Sequence, residues 1–256
     1  MLQPQLTIYE HTDSCLADLL EAFMRLAEES IQRRGVFRVS LSGGSTPRRL
    51  YQSIARSGLD LSRIEWFWGD ERNVPHDHSE SNFRMVAEAL LRPAGVPAEN
   101  IFAVPVNVDD PAAAAREYEA TLRKQFEGAT VPVAETDSAA AANQDAGSDL
   151  QFPAWDLVLL GMGDDAHTAS LFPGTTALDE RSRWFVENWV DKFAAHRYTL
   201  TAPAINSGRE IWFLITGAAK REAVGQVLGD QVDPHRYPSQ LIRPTRFFIT
   251  ADAMPQ

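Results

Sequence analysis

The sequence predicts an α/β fold: a doubly wound, mostly parallel sheet with helices on both faces, Rossmann-like, in a single domain. Three observations carry this expectation. Strand-like and helix-like segments alternate along almost the whole chain. The helical segments run to about three turns, enough to cross back over a sheet between parallel strands. The 256 residues, 44% of them hydrophobic, can cover one large sheet without a disulfide or metal staple.

Taken in order, residues 12–34 carry Leu16, Leu19, Leu20, Phe23 and Met24 at helical spacing, with Asp13 or Ser14 as N-cap and Gly35 as stop. FRVSLSG (37–43) reads as a buried strand, and PRRLYQSIARSG (47–58) as a helix opened by proline and closed by glycine. The cadence repeats with strand RIEWFWGD (63–70), helix SNFRMVAEALLR (81–92), short strand IFAVP (101–105) and helix DPAAAAREYEATLRKQF (110–126). WDLVLLGMG (155–163) is the clearest strand, followed by strands RWFVENWV (183–190), RYTLT (197–201) and REIWFLITG (209–217). Helix AAKREAVGQVLG (218–229) and strand RFFITADA (246–253) complete the pattern. Residues 128–150 break it: seven alanines, four acids and no base predict a mobile acidic surface loop rather than a domain linker.

Composition excludes several roles. A net charge of −11 and no basic stretch argue against nucleic-acid binding. No apolar run reaches membrane-spanning length, and MLQPQLTIYE lacks a secretion-signal layout. One cysteine, Cys15, excludes an internal disulfide framework and fits a reducing cytoplasm. The expected state is a monomer or a weak homodimer.

Parallel sheets bind ligands at the carboxyl ends of their strands, so chemistry is sought just after each strand. SGGSTP (42–47) joins a strand to a helix. Gly43 and Gly44 allow close backbone approach, Ser45 and Thr46 offer hydroxyls, and the helix start favours an anion; together they suit a phosphate, although a plain capped turn reads the same way. The loop lacks the lysine of a nucleotide P-loop. Asp70, Glu71 and Arg72 follow the next strand, where a carboxylate can orient a sugar hydroxyl and a guanidinium can grip an oxyanion. His76 and His78 in the loop beyond lack a third spaced ligand, so no metal is expected. GMGDDA (161–166) matches a dinucleotide fingerprint in form, but Asp164 and Asp165 would face the pyrophosphate, and Pro173-Gly174 stops the required helix. Asp165 and His167 on the same turn instead suggest a general base with a carboxylate to set its tautomer. Lys220 on a helix first turn, and Arg197 at a strand start, are candidate phosphate partners.

Five segments in order, LSGGSTP, WGDER-V with the following SN, GMG-D-HTASLFPG, R-TLTAPAIN and ITG-AK, resemble the 6-phosphogluconolactonase branch of the glucosamine-6-phosphate isomerase/6-phosphogluconolactonase family. The resemblance covers the chain from about residue 37 onward, apart from the acidic loop. It implies hydrolysis of 6-phospho-D-glucono-1,5-lactone to 6-phosphogluconate in the oxidative pentose phosphate pathway, in the cytoplasm and without a cofactor. His167 would be the general base, with Asp165 and Asp70 assisting. Gly43, Gly44, Ser45, Thr46, Arg72, Lys220 and Arg197 would hold the substrate phosphate. The only partner implied is this small phosphosugar lactone. The sister deaminase branch looks like D-G-H-I-A-F-N-E-P-G, with a glutamate where this chain has Phe172. A non-catalytic sugar-phosphate sensor is the remaining alternative. One departure stands out: the family glycine between aspartate and histidine is Ala166 here, costing on the order of 1 kcal/mol if φ is positive.

Overall fold

The computed structural model describes residues 3–132 and 150–255. Along the chain run β1 (Gln5–Tyr9), α1 (Thr12–Arg34), β2 (Phe37–Leu41), α2 (Ser45–Ala55), β3 (Ile64–Trp68), β4 (Asp70–Arg72) and α3 (Asn82–Val86). They are followed by β5 (Ile101–Phe102), α4 (Pro111–Gln125), β6 (Thr130–Pro132), β7 (Gln151–Pro153) and β8 (Leu157–Leu160). The last elements are β9 (Phe185–Val190), β10 (Ala195–Leu200), α5 (Ala202–Asn206), β11 (Ile211–Ile215), α6 (Arg221–Leu228) and β12 (Arg246–Thr250).

Seven strands form one sheet in the order β1-β12-β11-β8-β2-β3-β5. Every pairing within it is parallel. The sheet is covered on both faces. On one, Phe23 of α1 lies 5.3 Å from the Phe37 ring and 6.3 Å from Trp66. On the other, Phe126 at the end of α4 and Trp155 lie 5.5 and 5.3 Å from Phe67, whose side chain points opposite to Trp66. All four residues of β8 are buried, as a central parallel strand requires. The chain winds outward from β2 through β3 to β5, then returns beside β2 as β8 and winds the other way. The strand order therefore reverses between β2 and β8, where a ligand crevice opens.

Several elements differ from expectation for physical reasons. Helix α1 starts at Thr12, so its N-cap is His11 and Asp13 falls inside the first turn. Helix α2 starts two residues before Pro47, which is tolerated because a first-turn N–H has no helical partner. The 81–92 helix is α3 followed by a π turn over Ala87–Leu91. Strand β1 was not expected; as an edge strand it exposes Leu6 and Ile8 and lacks a clean burial alternation. Strands β9 and β10 do not join the parallel sheet but pair antiparallel with each other, and β10 with β4, in a small separate sheet. Of the expected 128–150 loop, residues 130–132 pair antiparallel with 151–153, while 133–149 lie outside the described residues. Among the described residues, no helix is long and apolar enough to cross a membrane.

Candidate active site

A cleft of about 190 Å³ opens across the carboxyl ends of the central strands. Its lining comes from Ser42, Gly43 and Gly44 after β2, Asp70 and Arg72 after β3, Met162, Gly163 and His167 after β8, and Lys220 after β11. Four loops distant in sequence thus meet because their strands are neighbours.

The β2 loop is shaped by close approach. A Cβ on Gly43 would sit 2.1 Å from Asn82 Oδ1, so only glycine lets α3 pack there. Gly44 has φ +107 and precedes α2 without a side-chain cap, leaving the helix start open to an anion. Ser45 and Thr46 form the first turn of α2 beside the cleft rather than its lining; the Thr46 hydroxyl is 2.8 Å from that of Thr216.

After β3 the acids divide their roles. Asp70 is buried, accepts a hydrogen bond from the Ser170 hydroxyl at 3.0 Å and faces the cleft. Glu71 turns away and binds the start of α3: its carboxylate accepts from the backbone N–H groups of Arg72, Asn82 and Phe83 at 2.7–2.8 Å. Burial pushes the Glu71 carboxyl up, against the pull of those three donors. The Arg72 guanidinium donates to Glu80 O at 2.5 Å. His76 and His78 are separately engaged, His76 with Val104 O at 2.9 Å and His78 with the Glu80 N–H. Among the described residues no group of three metal-ligating side chains is assembled.

Arg197 is the cross-strand partner of Arg72, on β10 against β4. Its Cζ lies 4.9 Å from the Phe193 ring centroid, and it is not part of the cleft lining. Burial first, then the Arg72 guanidinium, pull Arg197 down from the usual arginine range, and its Nε is buried without a partner. Among the described residues, Arg72, Arg197 and Lys220 form no salt bridge with any carboxylate. Arg72 and Lys220 bring positive charge to the cleft beside the Asp70 carboxylate, while Asp70, Glu80 and Glu71 act on Arg197 through space.

The turn after β8 holds the imidazole from three sides. His167 Nδ1 is 2.5 Å from Asp165 Oδ1, which also accepts the His167 backbone N–H at 3.2 Å. The Phe172 ring stacks on the imidazole with centroids 4.1 Å apart. Gly163 lies against the ring edge, where a Cβ would come within 2.0 Å of Nδ1. Burial alone would raise the Asp165 carboxyl, but hydrogen bonds from His167 and Lys192 outweigh it and hold the group well below the usual carboxylate range. With Nδ1 on the carboxylate, Nε2 is the ring nitrogen left to face the cleft. Ala166 does have positive φ, at 60°. Its carbonyl accepts from Ser239 N at 3.0 Å and Ser239 Oγ at 2.7 Å, which pins this conformation against a cost of about 1–2 kcal/mol.

Sequence reasoning missed Lys192, Ser170 and Ser239, which bind Asp165, Asp70 and Ala166 from distant segments. No spacing signal links them to their partners. Asn82 was visible only as the SN pair, with no indication that it packs on Gly43.

Residues 10–250 match the family model described as glucosamine-6-phosphate isomerases/6-phosphogluconolactonase. A 6-phosphogluconolactonase from Nostoc sp. is 41% identical over 229 residues, covering 90% of this chain and 87% of that protein. Another from Synechocystis sp. is 37% identical over 243 residues, covering 95% and 92%. The solved structure of 6-phosphogluconolactonase from Trypanosoma cruzi superposes with a TM-score of 0.81 at 26% identity, covering 97% of this chain and 94% of that one.

Proposed function

The chain belongs to the glucosamine-6-phosphate isomerase/6-phosphogluconolactonase family, and from that premise we propose that it is a lactone hydrolase acting on 6-phospho-D-glucono-1,5-lactone. The observation that carries this reading is the His167 imidazole, bound through Nδ1 to Asp165, covered by Phe172, and lining a cleft whose cations lack carboxylate partners. Nε2 takes a proton from a water that attacks the lactone carbonyl carbon. The carbonyl oxygen gains negative charge against a cation or backbone N–H of the cleft, the bond from that carbon to the ring oxygen breaks, and the proton passes from His167 to the departing hydroxyl. General-base catalysis supplies about 10²–10⁴-fold, and a fixed oxyanion donor about 10²–10³-fold.

Gly43, Gly44 and the first turn of α2, with Ser45 and Thr46, hold the phosphate together with Lys220 and Arg72, and Arg197, the cross-strand neighbour of Arg72, is a further cationic partner. Asp70 orients a substrate hydroxyl. The deaminase reading requires a proton-exchanging group beside the histidine, and the ring stacked there is a phenylalanine. The reaction belongs to the oxidative pentose phosphate pathway, in the cytoplasm, and uses no cofactor. The test is hydrolysis of freshly generated 6-phosphogluconolactone, corrected for the spontaneous rate, with glucosamine-6-phosphate run in parallel. His167→Ala should remove most of kcat and leave 6-phosphogluconate affinity within about three-fold. Turnover of the amino sugar, or a variant within a few-fold of wild type, overturns the reading.

A further inference from the structure

The small antiparallel sheet sends one hairpin tip, residues 191–194 between β9 and β10, against the turn that carries His167. Lys192 Nζ lies 2.9 Å from Asp165 Oδ2 and 3.5 Å from Asp164 Oδ1. Phe193 meets the Phe172 ring edge-on, with centroids 5.6 Å apart, and Phe172 in turn stacks on the imidazole. The hairpin therefore reaches the base along two routes, one ionic and one aromatic. The two oxygens of Asp165 are divided between partners: Oδ1 serves the His167 ring and backbone, and Lys192 is the partner of Oδ2.

That division has a chemical consequence. A carboxylate held by one oxygen alone can rotate about its Cβ–Cγ bond and present either oxygen, or neither, to the ring. Two anchors fix its plane, and with it the direction from which Nδ1 is addressed. A neutral imidazole has two tautomers, and only the one with hydrogen on Nδ1 leaves Nε2 as a base toward the cleft. The neighbouring charges are Asp164, which shares the same ammonium, and Arg197, whose guanidinium lies over the Phe193 ring.

We propose that Lys192 is a positioning residue: by anchoring Asp165 Oδ2 from the hairpin tip it keeps Asp165 Oδ1 on His167 Nδ1 and holds the imidazole in the tautomer that exposes Nε2. This rests on the reading of His167 as general base, and one arm of the test does not depend on turnover. In ¹⁵N NMR spectra of the whole protein, assigned by the signals that His167→Ala removes, the His167 ring nitrogens give well-separated pyrrole-type and pyridine-type signals in the wild type. In Lys192→Met they move toward their average. In Lys192→Arg, which keeps a donor to Oδ2, they stay near the wild-type positions. Lys192 is half exposed, so the substitution leaves the core intact. Lys192→Gln is the second variant if the methionine form expresses poorly.

With 6-phosphogluconolactone, Lys192→Met lowers kcat about 5–30-fold with KM within two-fold, and Lys192→Arg restores at least half of the loss. Unmoved ¹⁵N signals, or a rise in KM with kcat unchanged, overturn the proposal; the second result makes Lys192 a direct substrate contact. A wild-type protein that shows the tautomer effect but no lactone turnover overturns the assigned reaction and leaves the positioning role in place.

Discussion

Gly163→Ala separates catalysis from stability, and its size follows from the packing around one atom. The added Cβ would stand 2.0 Å from His167 Nδ1, 2.2 Å from Cε1 and 2.6 Å from Asp165 Oδ1. Ordinary contact begins near 3.4 Å, so the ring has to retreat by roughly 1.4 Å. Gly163 does not have positive φ, so alanine meets no backbone penalty. The obstructing atoms also belong to two side chains, His167 and Asp165, each about a quarter exposed and able to swing toward solvent. The stability cost is then the lost Asp165–His167 hydrogen bond, about 1.5–3 kcal/mol at most for a charge-assisted bond. Displacing a base by more than 1 Å costs on the order of 10²-fold in rate. The expected result is a kcat lowered at least 10²-fold, 6-phosphogluconate affinity within about three-fold of wild type, and a urea midpoint shifted only modestly. Steady-state kinetics, product titration by calorimetry and urea unfolding measure the three quantities. A variant with kcat within five-fold of wild type would refute the reasoning, because the ring could not then occupy its present place in the active enzyme.

Other expectations follow from the same geometry. Asp165→Asn keeps the shape of the turn but removes the charge that orients the imidazole, and should lower kcat by about 10²–10⁴-fold. The Asp165 carboxyl lies below its unfolded value, so its contribution to stability is fully present above about pH 4 and fades as pH falls toward the native value. The Tm difference between wild type and Asp165→Asn should therefore narrow below that pH, and a gap that widens instead would contradict the assignment. Lys220→Ala should weaken 6-phosphogluconate binding about 10–100-fold and leave unphosphorylated gluconate nearly unaffected, as titration of both ligands would reveal. Glu71→Gln replaces an acceptor with a donor against the N–H groups at the start of α3 and should cost about 1–3 kcal/mol in urea unfolding. An unchanged midpoint would mean that this helix start draws little from Glu71.

The strands β2, β3, β8, β11 and β12 were legible because each buries a short apolar run beside a punctuating glycine or polar turn. The loops that follow them could be picked out for the same reason. What could not be read is pairing across distance. RWFVENWV and RYTLT look like any other strands, and nothing local says that they leave the main sheet to join β4. The antiparallel register that sets Arg197 opposite Arg72, and carries Lys192 to Asp165, is a tertiary fact. Glu71 shows the same limit from the other side. Its sequence position is as suggestive as that of Asp70, yet alternation along β4 turns one carboxylate to the cleft and the other to α3.

The reversal of strand order between β2 and β8 also bears on how the protein acquires its activity. The backbone N–H of Arg38, on β2, bonds the carboxylate of Asp156, just before β8, across a sequence separation of 118 residues. Two halves of the chain must close that loop before the glycine turn and the histidine turn share one cleft. Parallel pairing over such a span is among the slower events in folding. During refolding, secondary structure should return first and turnover last, with no partially active species between them. Turnover is thus a stopwatch for the final closure of the sheet.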